Sequence, residues 1–428
     1  MKRKTSDVFG VSNSILPESY VDRGHLDDRL QILLGRPTHI ALRGVSKCGK
    51  SWLRQKVLPE ALTVQCRYKK TAADIYVDAL SQLGVRLEVE RSSDKSVKFT
   101  AEGEGQLGLK LIAEAKASVG AEAAGAWGSK TTPVGRTAGD LNFVAEILKA
   151  SKKRLVIEDF HYLTTAERTH LAFDLKALWD LGVFVLVIGV WSESNFLLTL
   201  NPDLTGRVEE IAITWSKEDL ERILLKGGLA LHLVFGPAMR QKLVELAYEN
   251  AGVLQKLALS TLDELKITEE AAADQTIESL EAVEGAALHY ADQLNPLYQQ
   301  FARRVADGIR HREDSTAIYP HAMAAILAES DEDLLRGVNI DRIHQVAHER
   351  QPRIQKGNLR TILRNFPRLQ VDDEGRGLVL AFNDANDDIT IVDRQLLLYR
   401  RYATVRWPWE ELIREAEEKN SGNSGGAG

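Results

Sequence analysis

The chain has 428 residues, 44% of them apolar and 27% charged, with a formal net charge of −6. That composition fits a globular protein of two or three domains with a substantial core, and the acidic balance excludes a general electrostatic attraction to nucleic acid. No apolar run approaches the roughly 18 residues of a membrane helix and no signal peptide opens the sequence. Cys48 and Cys66 lack metal or disulfide spacing, so a reducing cytoplasm is the expected setting.

The second half of residues 18–35 has helical periodicity and closes at Gly35, before Pro37. A short apolar run, Ile40 to Leu42, then reads as a buried strand. It leads into Gly44-x-x-x-x-Gly49-Lys50-Ser51, and a helix continues from Trp52. Strand before and helix after is the context that a phosphate-binding loop requires. Gly44 and Gly49 let the backbone turn tightly, and Ser46, Lys47, Cys48, Gly49 and Trp52 place N–H groups around the phosphates. Lys50 reaches the β- and γ-phosphates, the Ser51 hydroxyl ligates Mg²⁺, and the helix N-terminus adds positive potential. The expected ligands are ATP and Mg²⁺. Cys48 lies inside the loop, where added bulk would collide with a phosphate.

Residues 62–66 read as a second strand and 72–83 as an amphipathic helix, which is the βαβ alternation of a parallel sheet covered on both faces. Residues 86–136 break that pattern. From Val97 to Val119 apolar or small residues hold nearly every odd position, which predicts one or two amphipathic strands. A helix competes from about Leu107 to Ala126. The segment reads as a β-rich insertion packing on itself or on a neighbouring subunit, or as a membrane-active or assembly hairpin.

The sheet resumes at Leu155-Val156-Ile157-Glu158-Asp159, three apolar residues followed by two acids. At the end of a strand near the phosphate loop, one carboxylate holds Mg²⁺ and the next polarises the attacking water. By position, Glu158 takes the metal role, with Ser51, and Asp159 the base role. A helix over 167–181, an apolar strand from Val183 to Gly189 followed by Ser192, and an edge strand from Val208 come next. Ser216-x-x-Asp219 caps a helical region over 216–290, in which 269–281 reads as an acidic helical or hinged linker.

From Tyr290 onward, helices near 296–310, 319–328, 341–350 and 356–366 precede a hairpin predicted around the turn at residues 372–377, giving the pattern of a winged helix. Lys356, Arg360 and Arg364 recur every four residues on one helix face, with Arg353 and Arg368 at its ends. In DNA-binding examples that helix enters the major groove. Residues 290–428 nevertheless hold 22 acids against 19 Lys plus Arg, so DNA and protein both stay open as its target. The Gly/Ser/Asn-rich stretch 420–428 is expected to be disordered.

The order of elements over residues 18–262 resembles the AAA+/STAND ATPases, in particular origin-recognition-like ATPases and the ATPase helpers of transposition. The resemblance implies an α/β fold with a three-layer P-loop parallel sheet over 1–215, a helical lid over 216–290, a winged helix over 291–402, and a C-terminal helix and tail over 403–428. Tyr20-Val21-Asp22-Arg23 is similar to the box that lies beside the adenine, which assigns Arg23 to the nucleotide. Arg207 stands where these proteins carry an arginine finger for the neighbouring subunit's γ-phosphate, implying a homo-oligomer, and Lys256 stands near a sensor position. The acids are in swapped order relative to the family's Asp-Glu, which leaves their roles open. The implied function is an oligomeric ATP-driven switch acting on DNA, with an effector or transposase-like partner. The alternative is a STAND-like signalling or antiviral defence ATPase whose winged helix binds protein. A membrane is not an expected partner.

Overall fold

The computed structural model describes residues 2–91, 97–103, 110, 140–191, 193–308, 316–370, 378–384 and 386–424. They form two compact units. One comprises Gly24–Gly44 and Lys50–Ile213; the other comprises Met1–Arg23, Val45–Gly49 and Thr214–Gly428.

The first unit is built on a five-stranded parallel sheet. Its strands are β1 (His39–Arg43), β2 (Leu62–Gln65), β5 (Leu155–Glu158), β6 (Val185–Gly189) and β7 (Val208–Ala212), in the order β2-β5-β6-β1-β7. The central strands are near-continuous apolar runs because helices cover both faces, and every residue of β6 is buried. Edge strand β7 instead carries Glu209 and Glu210, charges that discourage pairing with another chain. Ile75 and Tyr76 of the helix Ala72–Ser81, Phe143 of Leu141–Ser151 and Leu175 of Thr165–Asp180 pack with Val64 and Ile157 in one core. Parallel pairing places the carboxyl ends of β1 and β5 at the same end of the sheet, where ligands of such sheets bind. Buried His39 fixes the start of β1. Its Nδ1 accepts from the Val185 N–H at 2.9 Å and its Nε2 donates to the Leu175 carbonyl at 2.8 Å. Burial holds its pKa down at about 4, so the ring is neutral at pH 7.

Strands β3 (Val85–Arg91) and β4 (Val97–Gly103) pair antiparallel, from Val85 opposite Gly103 to Arg91 opposite Val97. The period-two pattern thus continues into a hairpin as far as Gly103. The rest of the 86–136 expectation, like Ser192, lies almost wholly outside the described residues.

In the second unit the helices Lys217–Ala230, Pro237–Leu246 and Ala251–Glu264 follow one another, and Ser216 caps the first by accepting from the Asp219 N–H at 3.0 Å. The segment expected to be a linker instead supplies β9 (Gln275–Ile277), which pairs parallel with β8 (Leu233–Phe235). A 28-residue helix, Leu280–Asp307, then passes through position 290 and through Pro296. Its buried stripe runs unbroken from Ala282, Ala286 and Ala287 to Tyr298, Phe301 and Val305, and that burial outweighs the local signal of the proline.

The C-terminal helices Ile318–Ile326, Asp331–Arg336, Ile340–Arg350 and Lys356–Gln370 accompany a small antiparallel sheet. Its strands are β10 (Val338–Asn339), β11 (Leu380–Asn383) and β12 (Asp388–Ile391), ordered β10-β12-β11. The hairpin lies later than the sequence predicts, with its turn between Asn383 and Asp388. Leu369 and Gln370 belong to the helix, which runs through Pro367 rather than stopping there. The buried Gln370 amide does part of the work of the expected strand. Its Oε1 accepts from the N–H groups of Val379 (2.8 Å) and Leu380 (2.7 Å), and its Nε2 donates to the Leu380 carbonyl at 2.9 Å. After Gln395–Tyr402, a last helix spans Pro408–Ser424, so part of the stretch expected to be disordered is helical. No helix among the described residues is long and apolar enough to cross a membrane.

Candidate nucleotide-binding site

Three successive carbonyls of the phosphate loop are held by donors of the second unit. Asn250 Nδ2 donates to the Ser46 carbonyl at 2.7 Å, and the Gly252 N–H donates to the Lys47 carbonyl at 3.0 Å. The Cys48 carbonyl accepts two bonds, from Trp215 Nε1 at 2.9 Å and Arg23 Nη2 at 3.1 Å. In a trans peptide the carbonyl of one residue and the N–H of the next point in opposite directions. Holding these carbonyls on the protein side therefore turns the N–H groups of Lys47, Cys48 and Gly49 the other way, as an anion-binding nest requires. Gly49 has φ of +89°, a conformation that side-chain-bearing residues rarely adopt. The Ser46 N–H is spent otherwise, on the Val392 carbonyl at 3.4 Å.

The donors are themselves well placed. Asn250 caps the helix Ala251–Glu264, accepting from the Val253 N–H at 3.1 Å, and Gly252 offers one of the helix's unpaired first-turn N–H groups. Arg23 is 4% exposed and its guanidinium lies 3.9 Å from the centre of the Trp215 ring. The family resemblance assigns Arg23 to the nucleotide; in the structure its guanidinium also braces the loop backbone. Lys47, at φ 59°, donates through Nζ to Gln395 Oε1 at 2.7 Å.

In the sheet unit, Lys50 opens the helix Lys50–Val57 and its buried amine donates to the Gly44 carbonyl at 3.1 Å. Ser51 Oγ lies 3.4 Å from Glu158 Oε2, so the hydroxyl and the strand-end acid expected to share a metal are brought together. Two oxygen donors of this kind suit a hard cation, which takes its other ligands from phosphate and water. Glu158 Oε1 is held by Arg54, at 3.1 Å from Nε and 3.0 Å from Nη2. Asp159 adopts φ of 58° at the end of β5 and accepts from Gln65 Nε2 at 2.8 Å. Positive φ at a non-glycine residue is backbone strain of the kind that collects at functional sites. His161 accepts from the Val190 N–H at 3.3 Å; burial, then Lys50 and Arg168, hold its pKa near 3 and keep the ring neutral.

The structure places the other predicted residues as follows. Trp52 is half-buried on the helix after the loop. Arg207 is half-buried within its own unit, 4.8 Å from the Trp179 ring centre and donating to the Asp203 carbonyl. Lys256 lies 5.8 Å from the Tyr290 ring centre. Cys48 and Cys66 are both buried, and burial pushes the Cys66 thiol up to about 12, so Cys66 offers no ready thiolate. On the C-terminal basic face, Lys356 pairs with Asp341, Arg360 with Asp387, and Arg364 Nε with Asp384 Oδ1 at 2.7 Å. Arg353 donates to Gln351 Oε1 at 3.4 Å.

No protein-family model and no curated protein matches the sequence. Among solved structures the chain is similar to a Walker-type ATPase of Pyrococcus abyssi, at 14% identity over 89% of this chain and 96% of that one, with a TM-score of 0.54. Fainter likenesses include the Orc1 protein of Aeropyrum pernix in complex with DNA (11% identity, 90% and 92% covered, TM-score 0.38). Another is a STAND protein with a tetratricopeptide repeat sensor from Pyrococcus horikoshii (11% identity, 96% and 45% covered, TM-score 0.37). The five-stranded parallel sheet with helices on both faces agrees with the first of these likenesses, and the chain has a P-loop NTPase fold.

Proposed function

We propose that this protein binds Mg²⁺–ATP and hydrolyses it, using the cycle as a molecular switch. The observation that carries the proposal is the set of three phosphate-loop carbonyls held by Asn250, Gly252, Arg23 and Trp215, which leaves three consecutive N–H groups turned the other way, where a phosphate would be received. Lys50 would add charge at the β- and γ-phosphates, while Ser51 and Glu158 would hold the metal. A bound Mg²⁺ would neutralise the charge of the phosphate oxygens. Asp159 is the residue assigned to polarise water. In a Glu158→Gln/Asp159→Asn protein, nucleotide binding is expected to persist while phosphate release falls at least 100-fold, read by fluorescent nucleotide titration and a phosphate sensor. Undiminished release would remove both acids from the reaction.

The output of the switch separates two readings, DNA and protein. Exposed ion pairs are worth about 0–1 kcal/mol each, so DNA phosphates could displace Asp341, Asp384 and Asp387 from the three basic side chains at modest cost. Yet each base already has its counter-charge, which lowers the return from a phosphate contact. That favours the signalling reading, with the module docking on protein. Homo-oligomerisation, with Arg207 reaching a neighbour, would require that arginine to leave Trp179 and Asp203. DNA binding through all three bases would contribute roughly −2.7 to the slope of log affinity against log salt. Full-length protein with a non-hydrolysable ATP analogue is expected to show no such component. A slope that flattens on changing Lys356, Arg360 and Arg364 to Ala would restore the DNA reading.

A further inference from the structure

Arg54 has no part in the site as read from sequence, yet it is tied to the acid assigned to the metal. It sits one helical turn after Ser51, and its side chain is 11% exposed against 13% for Glu158. Nε and Nη2 both engage Glu158 Oε1, at 3.1 and 3.0 Å, while Oε2 is the oxygen nearer the Ser51 hydroxyl, at 3.4 Å. The two carboxylate oxygens are thus divided between a cation of the protein and the hydroxyl that would ligate a metal.

We propose that Arg54 is a positioning residue for metal binding: it fixes the Glu158 carboxylate with Oε2 toward Ser51 and cancels its charge, so that a divalent cation is held firmly only when a triphosphate brings further negative charge. The inference rests on the reading of Ser51 and Glu158 as metal ligands. Its physical basis is that a carboxylate paired at about 3 Å with a guanidinium offers a divalent ion little net attraction. The same carboxylate without that partner is an uncompensated charge in a largely enclosed place. Pairing with Arg54 therefore lowers affinity for the bare metal while preserving the orientation used with nucleotide.

The test uses Mn²⁺ alone, followed by electron paramagnetic resonance on the full chain. Arg54→Met is expected to bind Mn²⁺ without nucleotide at least tenfold more tightly than wild type. Arg54→Lys, which restores the charge, is expected to return toward wild type. In a Glu158→Gln background the Arg54→Met change is expected to have no further effect, a dependence that a merely structural role would not produce. If Arg54→Met does not fold, Arg54→Gln, which drops the charge but keeps a donor, is read in its place. Unchanged Mn²⁺ affinity in the folded variant, or the same tightening without the Glu158 carboxylate, would overturn the inference. The underlying site is judged separately: wild type that fails to show Mg²⁺-dependent ATP binding removes the metal reading itself.

Discussion

Lys50→Ala is expected to lower ATP affinity by at least 100-fold while leaving the protein folded. Lys50 is 9% exposed, and its amine donates to the Gly44 carbonyl at 3.1 Å. In a bound state that amine would turn from the Gly44 carbonyl to the phosphates. Hydrogen bonds to charged groups are worth about 1.5–3 kcal/mol each, and an ammonium facing two phosphates makes more than one. The far-ultraviolet circular dichroism and the cooperativity of unfolding are expected to stay close to wild type. A fluorescent ATP titration checks the affinity. Retention within threefold would mean that the loop does not receive a triphosphate.

The second large effect is expected at a residue outside the motif. A Cβ at Gly252 would lie 2.6 Å from Lys47 Cβ and 2.8 Å from the Lys47 carbonyl oxygen, inside the distances that real Cβ atoms keep. Gly252→Ala must therefore push the start of the helix Ala251–Glu264 and the loop tip apart. That breaks the bond from the Gly252 N–H to the Lys47 carbonyl and frees the peptide that presents the Cys48 N–H. Overpacking of this kind costs about 1–3 kcal/mol. Nucleotide affinity is expected to fall at least tenfold, with a lower denaturation midpoint. Gly285→Ala is the matched comparison. It meets nothing nearer than 3.7 Å in the helix Leu280–Asp307, and it should leave affinity unchanged while raising stability by about 1 kcal/mol. Equal affinities in the Gly252→Ala and wild-type proteins would show that the Lys47 carbonyl need not be held.

The strand, loop and helix around Lys50 were legible because their chemistry is contiguous: the apolar run, the glycines and the Lys-Ser pair must adjoin to work. The same holds for Glu158 and Asp159, which follow directly on their strand. The braces were not legible. Asn250 meets Ser46 across 204 residues and Trp215 meets Cys48 across 167, and no local pattern marks either as a partner of the loop. Arg54 is a single basic residue on an amphipathic helix until Glu158 folds against it. The hairpin was placed too early because Leu369-Gln370-Val371 has strand composition. In the fold, Gln370 remains helical and reaches the strand through its side chain. Spacing of four gave the shared helix face of Lys356, Arg360 and Arg364. Spacing could not show that Asp384 and Asp387, in the later hairpin turn, neutralise two of them.

Fixing one residue's backbone costs about 1–2 kcal/mol in conformational entropy. The peptides following Ser46, Lys47 and Cys48 are fixed by bonds to Asn250, Gly252, Trp215 and Arg23, so this ordering is met when the chain folds rather than when nucleotide arrives. Under the proposed function, association would carry a smaller penalty for ordering the loop tip, and changes at these four residues are expected to be read mainly in the lifetime of the complex.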